Sequence, residues 1–306
     1  MTRVWKGRKM ARTRFRSDRG LSLRMGGVGL GLGALYVAFG AVLIFYSGNW
    51  IFGLLITLGM AWGQWYFSDR LALKSIGGRE VTPEQAPELH AMIDRLCVLA
   101  DMPKPRVAVA VTDMPNAFAT GRTPSHSVVC VTTGIMQRLD ADELEGVLSH
   151  ELAHVANRDV SVMTVASSIG LLAGFITRWG MYIGGGRNRD GGGVPFLVVF
   201  LVSLVVYFIS FLLTRALSRY RELSADRSGA YLTGRPSKLA SALVKISGEM
   251  SRIPNKDLRD AQALSAFFFA PAINRESIGA MMSTHPPLQQ RLDQLARVGA
   301  ELSEPA

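Results

Sequence analysis

The stretch His150-Glu151-Leu152-Ala153-His154 brings three chemically demanding side chains together at a spacing that suits a helix. Residues four apart lie one turn above each other on the same helical face, so the imidazoles of His150 and His154 can converge on a single ion. Zinc is the ion such a pair suits. Glu151, one step round the helix, is placed to serve as a general base without itself being a ligand.

A catalytic zinc keeps three protein ligands and an open fourth position. In the metzincin pattern a Gly and a third His follow within a few residues, but those positions hold Asn157 and Val160. The other arrangement draws a Glu from a later helix, with an Asp four residues on, and Glu222-Leu223-Ser224-Ala225-Asp226 has that form. Glu222 is then the third candidate ligand. Asp226, one turn further, could accept the N–H of a ligating imidazole and fix its tautomer. Taken alone, these carboxylates read more readily as part of a solvated charged helix face, Arg219 to Arg227. Beside a motif that lacks its third ligand, they read as its completion.

The motif needs a helix, and the sequence supplies one. Asp140 and Glu143 have the spacing of a capping box, and Leu144, Val147, Leu148, Leu152 and Val155 recur at helical intervals. Upstream, Thr82-Pro83-Glu84-Gln85 reads as the cap of a helix carrying Leu89, Met92, Ile93, Leu96 and Leu99, stopped by Pro103 and Pro105. Two short β-like runs follow, Arg106–Val111 and Ser127–Thr132, with Asn116-Ala117-Phe118-Ala119-Thr120-Gly121 between them. A sheet edge beside a metal helix is where a protease can hold an extended substrate, by adding it as another strand.

The rest of the chain is apolar in a way that excludes an ordinary soluble enzyme. Of 306 residues, 48% are hydrophobic and 19% charged, with a net charge of +10. Residues 1–24 carry nine Lys/Arg against the single acid Asp18, the composition of a basic cytoplasmic tail drawn to anionic lipid. The alternatives are a nucleic-acid arm and an Arg-rich organelle-targeting peptide; the first is discounted, because no aromatic platform or known nucleic-acid module accompanies it. Gly27–Tyr46 and Trp50–Phe67 are uncharged and long enough, as helices, to cross a bilayer. Gly29 and Gly33 offer these helices a close-packing surface. Val160–Thr177 and Val194–Leu213 form a second such pair, joined by the Gly-rich segment 184–193. Glu222 can meet His150 and His154 only if an even number of spans separates them, and two is even.

The chain therefore divides into a basic tail (1–24), a transmembrane hairpin (25–68), a first catalytic part (69–159), a second hairpin (160–213) and a second catalytic part (214–306). In that last part Ser237–Ser251 has helical spacing, Ala263–Ile273 is an apolar patch too short to span, and a final amphipathic helix carries Leu288, Leu292, Leu295 and Val298. Cys97 and Cys130 have no metal-ligand spacing and read as buried thiols of a reducing compartment.

Asn116-Ala117-Phe118-Ala119, the segment Asp142–Asp159 around the motif, Ser218-Arg219-Tyr220-Arg221-Glu222 with Ala225-Asp226, and Thr284-His285-Pro286-Pro287 together resemble the HtpX family of integral-membrane zinc metalloproteases, related to the CAAX prenyl proteases. The resemblance runs from about Trp50 to about Ala296. It implies a mainly α-helical membrane protein with four transmembrane helices and a cytoplasmic α+β, zincin-like catalytic domain. It implies one zinc per chain on His150, His154 and Glu222, Glu151 as catalytic base and acid, and Asp226 behind a ligand. It further implies that Asn116 to Ala119 lie on a substrate-binding edge strand and that His285 stabilises the developing oxyanion. Expected partners are the lipid bilayer and misfolded or unfolded polypeptides, including damaged membrane proteins under stress, at a bacterial inner membrane, with no nucleic acid; a homo-oligomer is allowed. Two other readings compete. A membrane scaffold with a structural zinc would have a closed site of four ligands, usually Cys-rich. A prenyl-protein endoprotease would be expected to show more membrane helices than four.

Overall fold

A computed structural model describes residues 19–47, 65–183, 193–250 and 285–303, with isolated positions between 55 and 63. Most of the basic tail, most of Trp50–Phe67, the Gly-rich segment and the apolar patch at 263–273 lie outside the described residues.

The sheet has the order β1-β2-β4-β3, from β1 (Arg79–Glu80), β2 (Arg106–Ala110), β3 (Ala117–Thr123) and β4 (His126–Thr132). The β2–β4 pair is parallel and the other two pairs are antiparallel, so β3 stands at an edge. The period-two alternation of strands sorts side chains to two faces. Val107, Ala117, Val129 and Val131 join the main core, while Ala108, Ala110, Phe118, Val128 and Cys130 form a smaller core closed by Ala72. Because β4 is buried on both faces, its sequence reads as a continuous apolar run.

Helix α1 (Arg19–Ser47) precedes the sheet, α2 (Ser68–Ile76) covers its smaller core, and α3 (Pro87–Ala100) covers the larger one. The start of α3 lies later than Thr82 suggests. Residues 82–86 form a separate turn in which the amides of Gln85 and Ala86 donate to the Thr82 carbonyl, and Pro87 opens the helix. After the short α4 (Thr133–Arg138) comes α5 (Ala141–Ala156), the motif helix. Its capping box is complete: the Glu143 amide donates to Asp140 at 2.8 Å, and the Asp140 amide donates back to Glu143 at 2.9 Å.

Helices α6 (Asp159–Ile183) and α7 (Gly193–Thr233) pack closely along the apolar part of the chain. A methyl group added at Gly174 would approach the Tyr207 ring at 3.1 Å, and one at Gly170 would meet Ser210 at 3.3 Å. At Gly29 and Gly33 nothing among the described residues lies within 4 Å of where a Cβ would be, and most of the helix expected to pack on them lies outside those residues. Among the described residues, two stretches, Gly20–Val42 and Leu197–Thr233, are long and apolar enough to cross a membrane. The second extends beyond the Leu213 limit expected from sequence, because α7 continues unbroken to Thr233. With 41 residues it is about 60 Å long, enough to leave a bilayer and carry Glu222 onward. The main core is completed by α8 (Pro236–Met250) and α9 (Leu288–Ser303).

Candidate active site and metal centre

The site forms where α5 crosses α7. The close approach depends on Gly229, where an added Cβ would lie 2.8 Å from Ser149 Oγ and 2.9 Å from the His150 nitrogen. Only a residue without a side chain lets α7 come this near, and one and two turns back along α7 stand Asp226 and Glu222. His150, Glu151, Glu222, Asp226 and His285 are all buried.

His150, His154 and Glu222 present ligand atoms that all lie within 4.8 Å of one another. The two histidine Nε2 atoms are 3.1 Å apart, and Glu222 oxygens approach them at 3.3 Å and 3.6 Å. On the far side of each ring, Nδ1 faces a carboxylate: His150 meets Asp226 at 2.9 Å and His154 meets Asp159. A carboxylate only accepts, so Nδ1 carries the proton and the Nε2 lone pairs point into the cluster. Three electron-rich atoms around one point fit a cation. His154 reflects the same demand: burial disfavours its charged form, yet Glu222 and Asp159 outweigh burial and push its pKa up to about 10. This donor set, two imidazoles and a carboxylate, suits zinc.

Glu151 points to a different partner. Its Oε2 accepts the Ala119 amide of β3 at 2.9 Å, and burial, opposed by the two histidines, raises its pKa above the ordinary glutamate value. A buried carboxyl raised in this way is a candidate for exchanging a proton with a neighbouring group.

All of the site residues expected from the sequence meet here except part of the edge strand. Ala119 touches Glu151, and Asn116 anchors the start of β3, its amide donating to Thr132 Oγ1 and its carbonyl accepting from the Thr132 amide, both at 2.9 Å. Ala117 packs into the main core, and Phe118 turns to the smaller core on the other face of the sheet. His285 enters through Glu222, with its Nδ1 2.8 Å from Oε2.

Three further residues were not evident from the sequence. Arg291 is fully buried and grips both oxygens of Asp226 at 2.6 Å and 2.7 Å. Arg221 holds Asp159 at 2.6 Å. Each of the two histidines is therefore backed by an aspartate, and each aspartate by an arginine. A sequence signal existed for Arg291, which shares the apolar stripe of α9 with Leu295 and Val298 at helical spacing. Asp159 and Arg221 fall within segments that carry the family resemblance, but nothing in the sequence gave them a role there.

The model of peptidase family M48 matches residues 83–298, which contain this whole arrangement. The chain belongs to peptidase family M48. The M48 assignment agrees with full-length relatives. The protein named protease HtpX homolog 1 of Streptomyces coelicolor is 54% identical over 295 residues, covering 95% of this chain and 97% of that one. The HtpX homolog of Moorella thermoacetica is 54% identical over 296 residues, covering 94% and 97%. Among solved structures, the crystal structure of S. mikatae Ste24p has a TM-score of 0.54 at 16% identity, covering 91% of this chain and 67% of that one, a likeness of fold. The resemblance to the HtpX family is thereby borne out, and this M48 peptidase is a membrane metalloprotease.

Proposed function

We propose that His150, His154 and Glu222 hold one zinc ion, that Glu151 is the general base and acid, and that the enzyme cuts misfolded or damaged membrane proteins on the cytoplasmic side of a bacterial inner membrane. The observation that carries this reading is the convergence of the two Nε2 atoms and the Glu222 carboxylate, with both Nδ1 protons already committed to aspartates. A zinc there supplies Lewis-acid polarisation of the scissile carbonyl and makes water acidic enough to attack at neutral pH.

The chain's own residues do the rest. The free edge of β3 holds the substrate backbone as an added strand. Glu151 accepts the proton of the attacking water and delivers it to the leaving amine. His285, oriented through Nδ1 by Glu222, turns its other ring nitrogen to the developing oxyanion. The proposed topology has four spans in two hairpins, residues 25–68 and 160–213, a basic cytoplasmic tail, and catalytic parts 69–159 and 214–306 that meet on one side. That reading is supported by the even number of apolar runs between the histidines and Glu222.

The test is a comparison of the purified protein with Glu151→Gln in detergent. Both should carry one zinc by elemental analysis. Only the parent should cleave casein, in a chelator-sensitive way, and the variant should lose at least the roughly 10²–10⁴-fold that a positioned acid–base group contributes. Wild-type cleavage by the variant would remove Glu151 from the mechanism.

A further inference from the structure

We propose that this protease cuts at a short, fixed distance from the bilayer surface, set by a latch of Trp62, Trp65, Tyr66 and Arg122 that ties the far end of β3 to the membrane interface. The proposal rests on the function and topology argued above and adds the class of bond chosen: one in a segment that has just left the bilayer.

The near end of β3 is at the catalytic carboxylate, where the Ala119 amide donates to Glu151. Since that amide points to Glu151 and away from β4, alternation along the strand gives residues 117, 119 and 121 the free edge. Three residues beyond Ala119, the Arg122 guanidinium lies 4.5 Å from the centroid of the Tyr66 ring. Tyr66 stacks on Trp62 at 5.1 Å and meets Phe67 edge-on at 5.0 Å. A second tie runs parallel to the first: Trp65 Nε1 donates to Ser161 Oγ at 2.9 Å, and Ser161 donates to the Arg122 carbonyl at 3.1 Å. The strand is shaped for this meeting. Gly121 has φ 142°, beside a bulge between Gly121 and Thr123, and a Cβ there would lie 2.3 Å from the His126 carbonyl oxygen.

The latch residues are those that prefer a membrane boundary. Trp62, Trp65, Tyr66 and Phe67 close one uncharged run, and Ser161 stands at the start of another. Trp62 and Phe67 are exposed. Trp and Tyr settle at headgroup depth because an apolar ring carries a polar handle, and Arg reaches the same level by extending its stem. One strand thus joins Glu151 to the interface. At about 3.3 Å per residue, the step from Ala119 to Arg122 is about 10 Å. A substrate laid along this edge passes the catalytic carboxylate within roughly three to six residues of the bilayer.

The experiment uses the full chain in liposomes with a single-span substrate whose unstructured tail has uniform composition, on the side of the active site. Cut positions are mapped by mass spectrometry, and casein cleavage in detergent is measured in parallel. Cuts should cluster within about six residues of the span, at least about five-fold over the following six, as the strand length demands. When about six residues are inserted next to the span, the cluster should keep its distance from the membrane and fall on new sequence. Cuts that follow the sequence, cuts scattered along the tail, or an intact tail beside cleaved casein would each overturn the proposal. The double variant Trp62→Leu, Tyr66→Leu should scatter the cuts while cleaving casein at the parental rate in detergent. An unchanged cluster in that variant would overturn the assignment to the latch. Casein left uncut by the parent would instead sink the proteolytic reading underneath.

Discussion

Arg291 and Asp226 show how much of a metal site lies behind its ligands. A buried carboxylate with no cation nearby is costly, and Asp226 is wholly buried because it must reach His150 Nδ1. The two-pronged grip of Arg291 offsets that cost and fixes the carboxylate plane. Arg291→Gln should therefore weaken zinc binding 10- to 100-fold, the roughly expected loss when a partner behind a ligand is removed. Its stability should fall by roughly 3–5 kcal/mol, the effect of leaving a buried charge unpaired. Arg291→Lys keeps the charge but not the fork, so its metal affinity should fall between the two. Competition against a chelator, on variants shown by circular dichroism to be folded, measures this; parental affinity in folded Arg291→Gln would remove Arg291 from the metal site. Asp159→Asn should weaken zinc comparably through His154, in the same assay. The grouping of His150, His154 and Glu222 was legible in the sequence because two histidines and a glutamate at fixed helical offsets leave few other uses. Their supports were not, because Arg291 and Asp226 are 65 positions apart and only the packing of α9 on α7 joins them.

At the scale of elements, α5 is the part of the fold most fully written in the sequence, since its capping box and apolar stripe both describe local geometry. Longer-range features were less visible. A run of apolar residues followed by a charged one looks like a span and then a separate helix, whereas α7 is one rod, since nothing in Arg215 to Glu222 breaks a helix. The crossing of α5 and α7 depends on Gly229, and no local pattern announces it. Gly229→Ala should force the helices apart, costing roughly 1–3 kcal/mol as overpacking does, and should lower zinc affinity; thermal unfolding and chelator competition report the two effects. The cap of α5 carries a pH dependence. Burial works against the charged form of Glu143, but Lys245, Ser241 and the Asp140 amide outweigh it and hold its pKa below the usual 4.5. The Glu143 amide similarly holds Asp140 below its usual 3.8. Groups lowered on folding stabilise the native state above their unfolded values, and that contribution is lost as pH falls through the folded ones. The unfolding temperature should thus drop as pH falls below about 4.5, and less steeply in Asp140→Asn with Glu143→Gln, because an Asn cap does not titrate. Equal slopes in parent and double variant would locate the acid sensitivity elsewhere.

For the whole molecule, the consequence of this architecture is that one small site ties together three distant parts of the chain. His150 and His154 come from the helix before the second apolar pair, Glu222 from the helix after it, and His285 and Arg291 from the last segment. A cation held by the first two groups is therefore a cross-link between them, and its binding energy becomes folding energy. With metal at about a hundred times its dissociation constant, the folded state gains about 2.7 kcal/mol, if the unfolded chain does not bind it. For a folded unit of 150–250 residues that is a rise of roughly 5–11 °C in unfolding temperature, at about 2–4 °C per kcal/mol. Glu151→Gln should show the whole rise, because Glu151 faces Ala119 and not the converging nitrogens. Glu222→Gln should show little of it, having lost the anionic oxygen that joins α7 to α5. Scanning the three proteins with and without zinc after chelation separates base from ligand with no appeal to activity. A full metal-dependent rise in Glu222→Gln would mean that α7 contributes no ligand and that the two halves of the catalytic region are held by packing alone.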